Sequence, residues 1–73
     1  MELDELFQKF KAAIDNEYEA YRFYTDIAER SKDSEMKVVF ARLAREEWEH
    51  MHVIMQRYKI LRNYKETQID IPA

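Results

Sequence analysis

The sequence predicts an all-α protein, an antiparallel hairpin of two helices. The 73 residues include no glycine and a single proline, Pro72, so neither residue type interrupts a helix before that point. Apolar residues recur at steps of three and four along both halves of the chain, which is the period of a helix face. A short polar break at residues 31–33 separates the halves, and so short a linker favours antiparallel helices.

The first helix is predicted over about residues 3–30. Its apolar stripe has the expected helical steps and consists of Leu3, Leu6, Phe10, Ala13, Ala20, Tyr24 and Ile27. After Ala13 the next position of the stripe is 17, and residue 17 is a glutamate. Glu17 therefore interrupts the face that the helix turns toward the core.

The second helix is predicted over about residues 34–63, with Asp33 as its N-cap. Its stripe has the same rhythm and runs through Met36, Phe40, Leu43, Glu47, His50, Ile54, Arg57 and Leu61. Glu47 and His50 take two consecutive core positions and, at i and i+3, share one face. His52 is turned about 200° from His50 and cannot share it. Residues about 67–73 are predicted to be an extended tail, and residues 1–73 a single domain.

Composition excludes several classes of protein. Without cysteine there is no disulfide, zinc ribbon or rubredoxin-type iron site. No apolar run has the length of about 18 residues that a membrane span needs, and the acidic start is not typical of a signal peptide, so we expect the cytoplasm. A net charge of −3 gives no general reason to expect nucleic acid. Nucleic-acid binding through the basic end of the second helix ranks last among the functions considered.

The three polar residues on the stripes are predicted to meet. Glu17 lies 15 residues before Lys32 and Glu47 lies 15 residues after it, so the two carboxylates reach the same height in the hairpin. Two ionised carboxylates facing each other in an apolar interior are strongly unfavourable without a cation. A carboxylate-rich set with one imidazole suits iron, manganese or zinc.

A single hairpin supplies only two glutamates and one histidine, and it is too small to stabilise itself well. Pairing two hairpins completes a four-helix bundle and doubles the set to four glutamates and two histidines, the composition of a di-metal carboxylate centre. The sequence therefore predicts a homodimer with the metals on its twofold axis, where each Glu47 can bridge both ions.

Alternative interpretations remain open for these residues. A glutamate on a helix stripe can be a boundary residue, and a histidine can be a satisfied core side chain, which together describe a metal-free helical interaction module. Tyr24, two turns after Glu17 on the same stripe, either hydrogen-bonds a metal ligand or packs in the core. Off the stripe lie aromatic residues that form either a second apolar face between dimers or scattered surface positions: Tyr18, Tyr21, Phe23 and Trp48.

Two stretches carry a family resemblance. They are Glu17-x-x-Ala20-x-x-x-Tyr24 in the first helix and Leu43-Ala44-x-Glu46-Glu47-x-x-His50 in the second. In these the chain resembles the ferritin-like superfamily, in particular the rubrerythrin-like branch and, most closely, the two-helix encapsulated ferritins. The resemblance implies a ferritin-like four-helix bundle in which Glu17, Glu47 and His50 are the iron ligands and Tyr24 lies beside them. Phe23 stands where the family often has tryptophan, Glu19 matches an acidic entrance position, and Asn16 is not acidic where another acid is expected.

The resemblance also implies a function. Encapsulated ferritins are ferroxidases that oxidise Fe(II) to Fe(III) with O₂ or peroxide, for iron storage or detoxification. They form ring-like assemblies of dimers and depend on an encapsulin shell to hold mineral, so an encapsulin nanocompartment is the implied partner and location. The alternative enzyme is a rubrerythrin-like peroxide reductase, which requires an external electron donor because a cysteine-free chain carries no rubredoxin domain.

Overall fold

The chain forms two long helices in a computed structural model, which describes residues 1–70 and the side chains of residues 1–63. Helix α1 spans Leu3–Arg30 and helix α2 spans Ser34–Asp70, and the described residues contain no strand. The helices pack side by side in a rod of 62 × 16 × 15 Å. The all-helical hairpin is thus confirmed. Within the described part of the chain, neither helix combines the length and apolarity needed to cross a membrane.

The turn is held by side chains that satisfy the free backbone groups at the two helix ends. At the end of α1 the Ser31 N–H donates to the Ile27 carbonyl at 2.8 Å. The Lys37 ammonium reaches back from α2 and donates to the carbonyls of Ala28 and Glu29, each at 3.2 Å. The last carbonyls of a helix have no partner within it. This lysine therefore caps the C-terminal end of α1 and links α2 to it.

Asp33 caps the start of α2, as predicted. Its Oδ1 accepts hydrogen bonds from the backbone N–H groups of Glu35 at 2.8 Å and Met36 at 3.2 Å. These are the second and third residues of the helix, the usual partners of an N-cap side chain. The Asp33 N–H in turn donates to the Ser31 hydroxyl at 3.2 Å, which fixes the three-residue linker.

The hairpin buries very little of its apolar surface. Among residues 1–63 only Ala44 and Met51 are buried, each 5% exposed, both where α2 lies against α1. At the open end of the hairpin the Tyr58 ring packs against the Phe7 ring, and the ring centroids are 5.4 Å apart. Large apolar side chains stay exposed elsewhere: Tyr18, Phe23, Met36, Val38, Val39, Trp48, Val53, Met55 and Ile60. A core this small leaves a single hairpin marginal in stability.

The predicted end of α2 is wrong. The helix continues to Asp70, beyond the predicted end at about residue 63, and residues 67–70 are helical where an extended tail was expected. Glycine and proline are absent from this stretch, so nothing in the backbone stops the helix until the approach to Pro72, whose ring disfavours the α conformation of the preceding residue. Residues 71–73 of the predicted tail lie outside the described part of the chain.

Replacing the cap is expected to weaken the hairpin. The substitution Asp33→Ala removes the acceptor of two backbone N–H groups and should lower the free energy of unfolding by about 1 kcal/mol. Urea denaturation followed by circular dichroism, at one fixed chain concentration, measures the change. The control is Lys32→Ala in the same linker, which should stay within about 0.5 kcal/mol of the parent protein. Equal effects of the two substitutions would contradict the capping role.

Candidate metal centre

Glu17 lies in the middle of α1 with its carboxylate turned toward α2. Its side chain is 27% exposed, and its Oε2 atom is buried without a hydrogen-bond partner. A buried carboxylate oxygen without a partner loses its hydration and gains nothing in return. Such an atom calls for a cation, a proton or a second molecule to complete its surroundings.

Glu47 and His50 lie opposite Glu17 on α2, one turn apart. The three side chains offer ligand atoms, two carboxylate oxygens and one imidazole nitrogen, that all lie within 4.8 Å of one another. His50 Nδ1 is 3.9 Å from Glu17 Oε2. This separation is too long for a hydrogen bond. The predicted match in height between Glu17 and Glu47 is therefore present in the hairpin, and His50 joins them.

This donor set fits a divalent transition metal. Ligands bound to one ion at about 2.1 Å lie at most about 4.2 Å from one another. The Glu17–His50 separation of 3.9 Å already meets that limit, and the 4.8 Å bound on the whole group needs only a sub-ångström rotamer adjustment. Oxygen and imidazole ligands suit iron, manganese and zinc alike. Ligation by Glu17, Glu47 and His50 remains a prediction, which the grouping supports.

The cluster opens onto one face of the hairpin. Glu47 is half-buried, whereas the His50 side chain is 62% exposed. His50 sits on the apolar stripe of α2 but on the part that α1 does not cover. The same face carries Leu43 and Ile54 one turn on either side, both only half-buried. The cluster is therefore open on this face of the hairpin, where the His50 imidazole is exposed.

Tyr24 lies two turns from Glu17 along α1, about 10.5 Å along the helix axis. Its ring is half-buried between Phe40 at 5.9 Å and Phe23 at 5.7 Å, measured between ring centroids. Among the described residues, no hydrogen bond or ring contact joins Tyr24 to the carboxylates or the imidazole of the cluster. Its packing role is thus visible, and a role beside the metal stays a prediction.

The remaining polar candidates lie away from the cluster. His52 packs its ring on Trp48 at 5.1 Å, on the other side of α2, as its offset from His50 required. Glu46 is exposed and is not part of the described metal-ligating group. Glu19 and Asn16 are exposed on α1, and Glu19 is turned about 200° from Glu17, so it does not face the cluster.

The comparison with protein families agrees with this geometry. The Rubrerythrin family model matches residues 9–71, which is most of the chain and includes all three members of the cluster. The chain belongs to the rubrerythrin family. Comparisons with curated proteins and with solved structures find no match. The resemblance to the ferritin-like superfamily is thereby confirmed, whereas membership of the encapsulated-ferritin branch within it stays a prediction.

The unpartnered carboxylate of this rubrerythrin-family chain should destabilise the metal-free protein. Glu17→Leu removes the charge at similar volume and should raise the free energy of unfolding in chelator by about 1 kcal/mol, the lower end for an unsatisfied buried group because Glu17 is partly exposed. Denaturant unfolding with EDTA measures this. The control Glu19→Leu adds the same side chain at an exposed site of α1 and should change stability by less than about 0.5 kcal/mol. A less stable Glu17→Leu protein would show that the carboxylate is satisfied without a metal.

Proposed function

We propose that this rubrerythrin-family protein is a ferroxidase that oxidises Fe(II) at a di-iron carboxylate centre between two hairpins. The observation that carries the proposal is the buried, unpartnered Oε2 of Glu17, within 4.8 Å of ligand atoms of Glu47 and His50. Two carboxylates and an imidazole converge there, and among residues 1–63 no lysine or arginine forms an ion pair with them. A divalent cation resolves that conflict, and iron is the metal that the family resemblance implies.

The centre is proposed to form in a homodimer. One hairpin offers three ligands, and its cluster opens onto a face whose histidine is largely exposed. A second hairpin on that face, related by a twofold axis, supplies the same three ligands and encloses the site. Four glutamates and two histidines then surround two ions, with each Glu47 in position to bridge them. The half-buried apolar residues beside the cluster become the core of a four-helix bundle.

Iron is the substrate of the proposed reaction. Two Fe(II) ions lose one electron each, and O₂ accepts both electrons with two protons to give hydrogen peroxide; peroxide in place of O₂ accepts them to give water. The protein contributes geometry and shielding: Glu17, Glu47 and His50 hold the ions together, and the apolar bundle limits the access of water.

Iron handling by this protein requires a place for the product. The hairpin is a rod about 16 Å wide and encloses no storage cavity. We therefore propose that Fe(III) moves on to a separate compartment, with a cytoplasmic encapsulin shell as the container that the resemblance implies.

Peroxide reduction with an external donor is the second candidate, favoured by the family match itself. It uses the same cluster, so metal binding does not separate it from ferroxidase activity. Steady NADH-linked turnover of peroxide with a reductase present identifies the reductase, whereas oxidation that stops when Fe(II) is consumed identifies the ferroxidase. A metal-free helical module would show neither.

The proposal is tested by anaerobic Fe(II) titration followed by native mass spectrometry. We expect one iron per chain and two per dimer in the parent protein, with no stoichiometric binding in Glu47→Ala or His50→Ala. The controls are the neighbouring substitutions Glu46→Ala and His52→Ala. Each removes the same type of side chain as its test variant but leaves the cluster intact. Both controls should bind iron as the parent does.

Admitting O₂ to the loaded samples then tests the reaction. Fe(III) should appear only in the proteins that bound iron, at a rate well above that of free Fe(II) in the same buffer. Iron binding that survives Glu47→Ala, or that is absent from the parent protein, would overturn the proposal.

Tyr24 is proposed to assist through its hydroxyl. Tyr24→Phe should leave the iron stoichiometry unchanged and slow oxidation about fivefold, the effect of losing a hydrogen bond worth about 1 kcal/mol near the reacting ions. Stopped-flow measurement of Fe(III) formation gives the rate. Tyr58→Phe, at the open end of the hairpin, is the control and should oxidise iron at the parent rate. Equal rates for Tyr24→Phe and the parent would assign Tyr24 to packing alone.

A further inference from the structure

Three easily oxidised rings contact one another along one side of the hairpin. Tyr18 stacks on Tyr21 with 6.3 Å between the ring centroids, and Tyr21 lies 5.2 Å from Trp48, the only tryptophan of the chain. These three rings cross from α1 to α2 without a gap, and we call them the ring row. The chain contains no cysteine, so tryptophan and tyrosine are its side chains that give up a single electron most readily.

The other tyrosines with described side chains pack against phenylalanine. Tyr24 contacts the rings of Phe23 and Phe40, and the Tyr58 ring lies 6.3 Å from that of Phe10. A phenylalanine ring is much harder to oxidise than a phenol or an indole, so such contacts do not pass an electron from ring to ring. The ring row, in contrast, joins oxidisable rings directly, and electron transfer is fastest between rings in contact.

The ring row lies beside the metal cluster and leads to the surface. Trp48 follows Glu47 in the sequence and Tyr18 follows Glu17, so the row stands at the height of the cluster, on the neighbouring face of each helix. Consecutive Cα atoms are about 3.8 Å apart, which keeps the row close to two of the predicted ligands. Tyr21, in the middle, is half-buried, whereas Tyr18 is 45% exposed. Dissolved molecules therefore reach the Tyr18 end of the row.

We propose that the ring row is a redox relay that protects the metal cluster, by passing oxidising equivalents from Trp48 through Tyr21 to Tyr18. The proposal rests on the proposed function only for the source of the oxidant. Fe(II) and peroxide together generate hydroxyl radical, a strong one-electron oxidant. An oxidising equivalent that moves into the ring row is no longer able to damage the carboxylates and the imidazole of the cluster.

Each step of the relay balances in electrons and protons. Trp48 loses one electron and its indole N–H proton, and hydroxyl radical takes up one of each to become water. The neutral Trp48 radical then takes one electron and one proton from the Tyr21 phenol, which is the more easily oxidised group at neutral pH, and Tyr21 takes the same from Tyr18. A dissolved thiol finally gives one electron and one proton to Tyr18, and two of the resulting thiyl radicals join as a disulfide.

Pulse radiolysis of the whole chain with Zn(II) tests the relay without iron chemistry. Zn(II) suits the same ligands and has no redox chemistry of its own. Azide radical, which the pulse generates, oxidises tryptophan in preference to tyrosine and therefore starts the transfer at Trp48. In the parent protein the absorption of the indole radical should decay while that of the phenoxyl radical grows, at a rate that does not depend on protein concentration.

Phenylalanine substitutions identify the ring that receives the radical. Tyr21→Phe keeps the ring but removes the phenol, and it should slow the transfer about tenfold or more, equivalent to about 1.4 kcal/mol or more of activation free energy. Tyr58→Phe is the matched control, because residue 58 lies about 15 Å from Trp48 along α2, and it should keep the parent rate. Equal rates in Tyr21→Phe and the parent protein would overturn the relay.

The exit from the relay is tested with a thiol. Tyr18→Phe should leave the transfer to Tyr21 intact, but the phenoxyl radical should then react more slowly with added cysteine, because it stays on a half-buried ring. An unchanged reaction with cysteine would overturn the assignment of Tyr18 as the exit.

Exposure to iron and peroxide tests the protective role. After the same treatment with Fe(II) and peroxide, peptide mass spectrometry should find more oxidised His50 in Tyr21→Phe than in the parent protein or Tyr58→Phe. Equal oxidation of His50 in three proteins that bind iron stoichiometrically would overturn this role. If the proposed function is wrong instead, iron is not bound stoichiometrically in any of them, while the radical transfer that follows azide oxidation persists.

Discussion

One unsatisfied carboxylate dominates the physics of this hairpin. Glu17 Oε2 is buried without a hydrogen-bond partner, and the Glu17 carboxylate is grouped with that of Glu47 and the imidazole of His50, with ligand atoms within 4.8 Å of one another. An apolar residue at this position would lengthen the stripe of α1 and enlarge a very small core. The chain has a glutamate there instead, in a core that is already very small. The cation of the proposed centre would account for that cost, because it would give the buried carboxylate oxygen a partner.

The same scarcity of core is the reason for proposing that assembly is part of the fold. Ala44 and Met51, the two buried residues among those whose side chains are described, cannot offset the conformational entropy of two long helices. The apolar faces left open flank the cluster on one side and, on the other, line a groove between the helices beside Tyr21, Ala44 and Trp48. Metal binding, dimerisation and higher assembly are therefore proposed as parts of one free-energy balance, in which each contact covers surface that the hairpin alone exposes.

Much of this architecture could be predicted from the sequence because it depends on local, periodic signals. The helical periodicity, the linker and the cap at Asp33 depend on residues that are close together in the sequence. The pairing of Glu17 with Glu47 follows from counting residues in both directions from the turn. The end of α2 could not be predicted in the same way. An extended tail was expected there, but no glycine or proline interrupts the helix before Pro72. The groove that Tyr21, Ala44 and Trp48 line between the helices could be predicted only in part. Its aromatic residues fall off the stripe, but the alanine floor acquires meaning only when the two helices are placed together.

The position of His50 connects the packing of the single hairpin with the proposed four-helix bundle. On α2 it continues the core stripe by sequence, yet in the hairpin its side chain is 62% exposed, because α1 covers only one flank of that stripe. A histidine placed for the interior of a single hairpin would be buried against α1, as Met51 is one residue later. Its actual direction fits the interior of the proposed four-helix bundle. The side chain proposed to complete the cluster is thus also the one that would face the proposed second subunit.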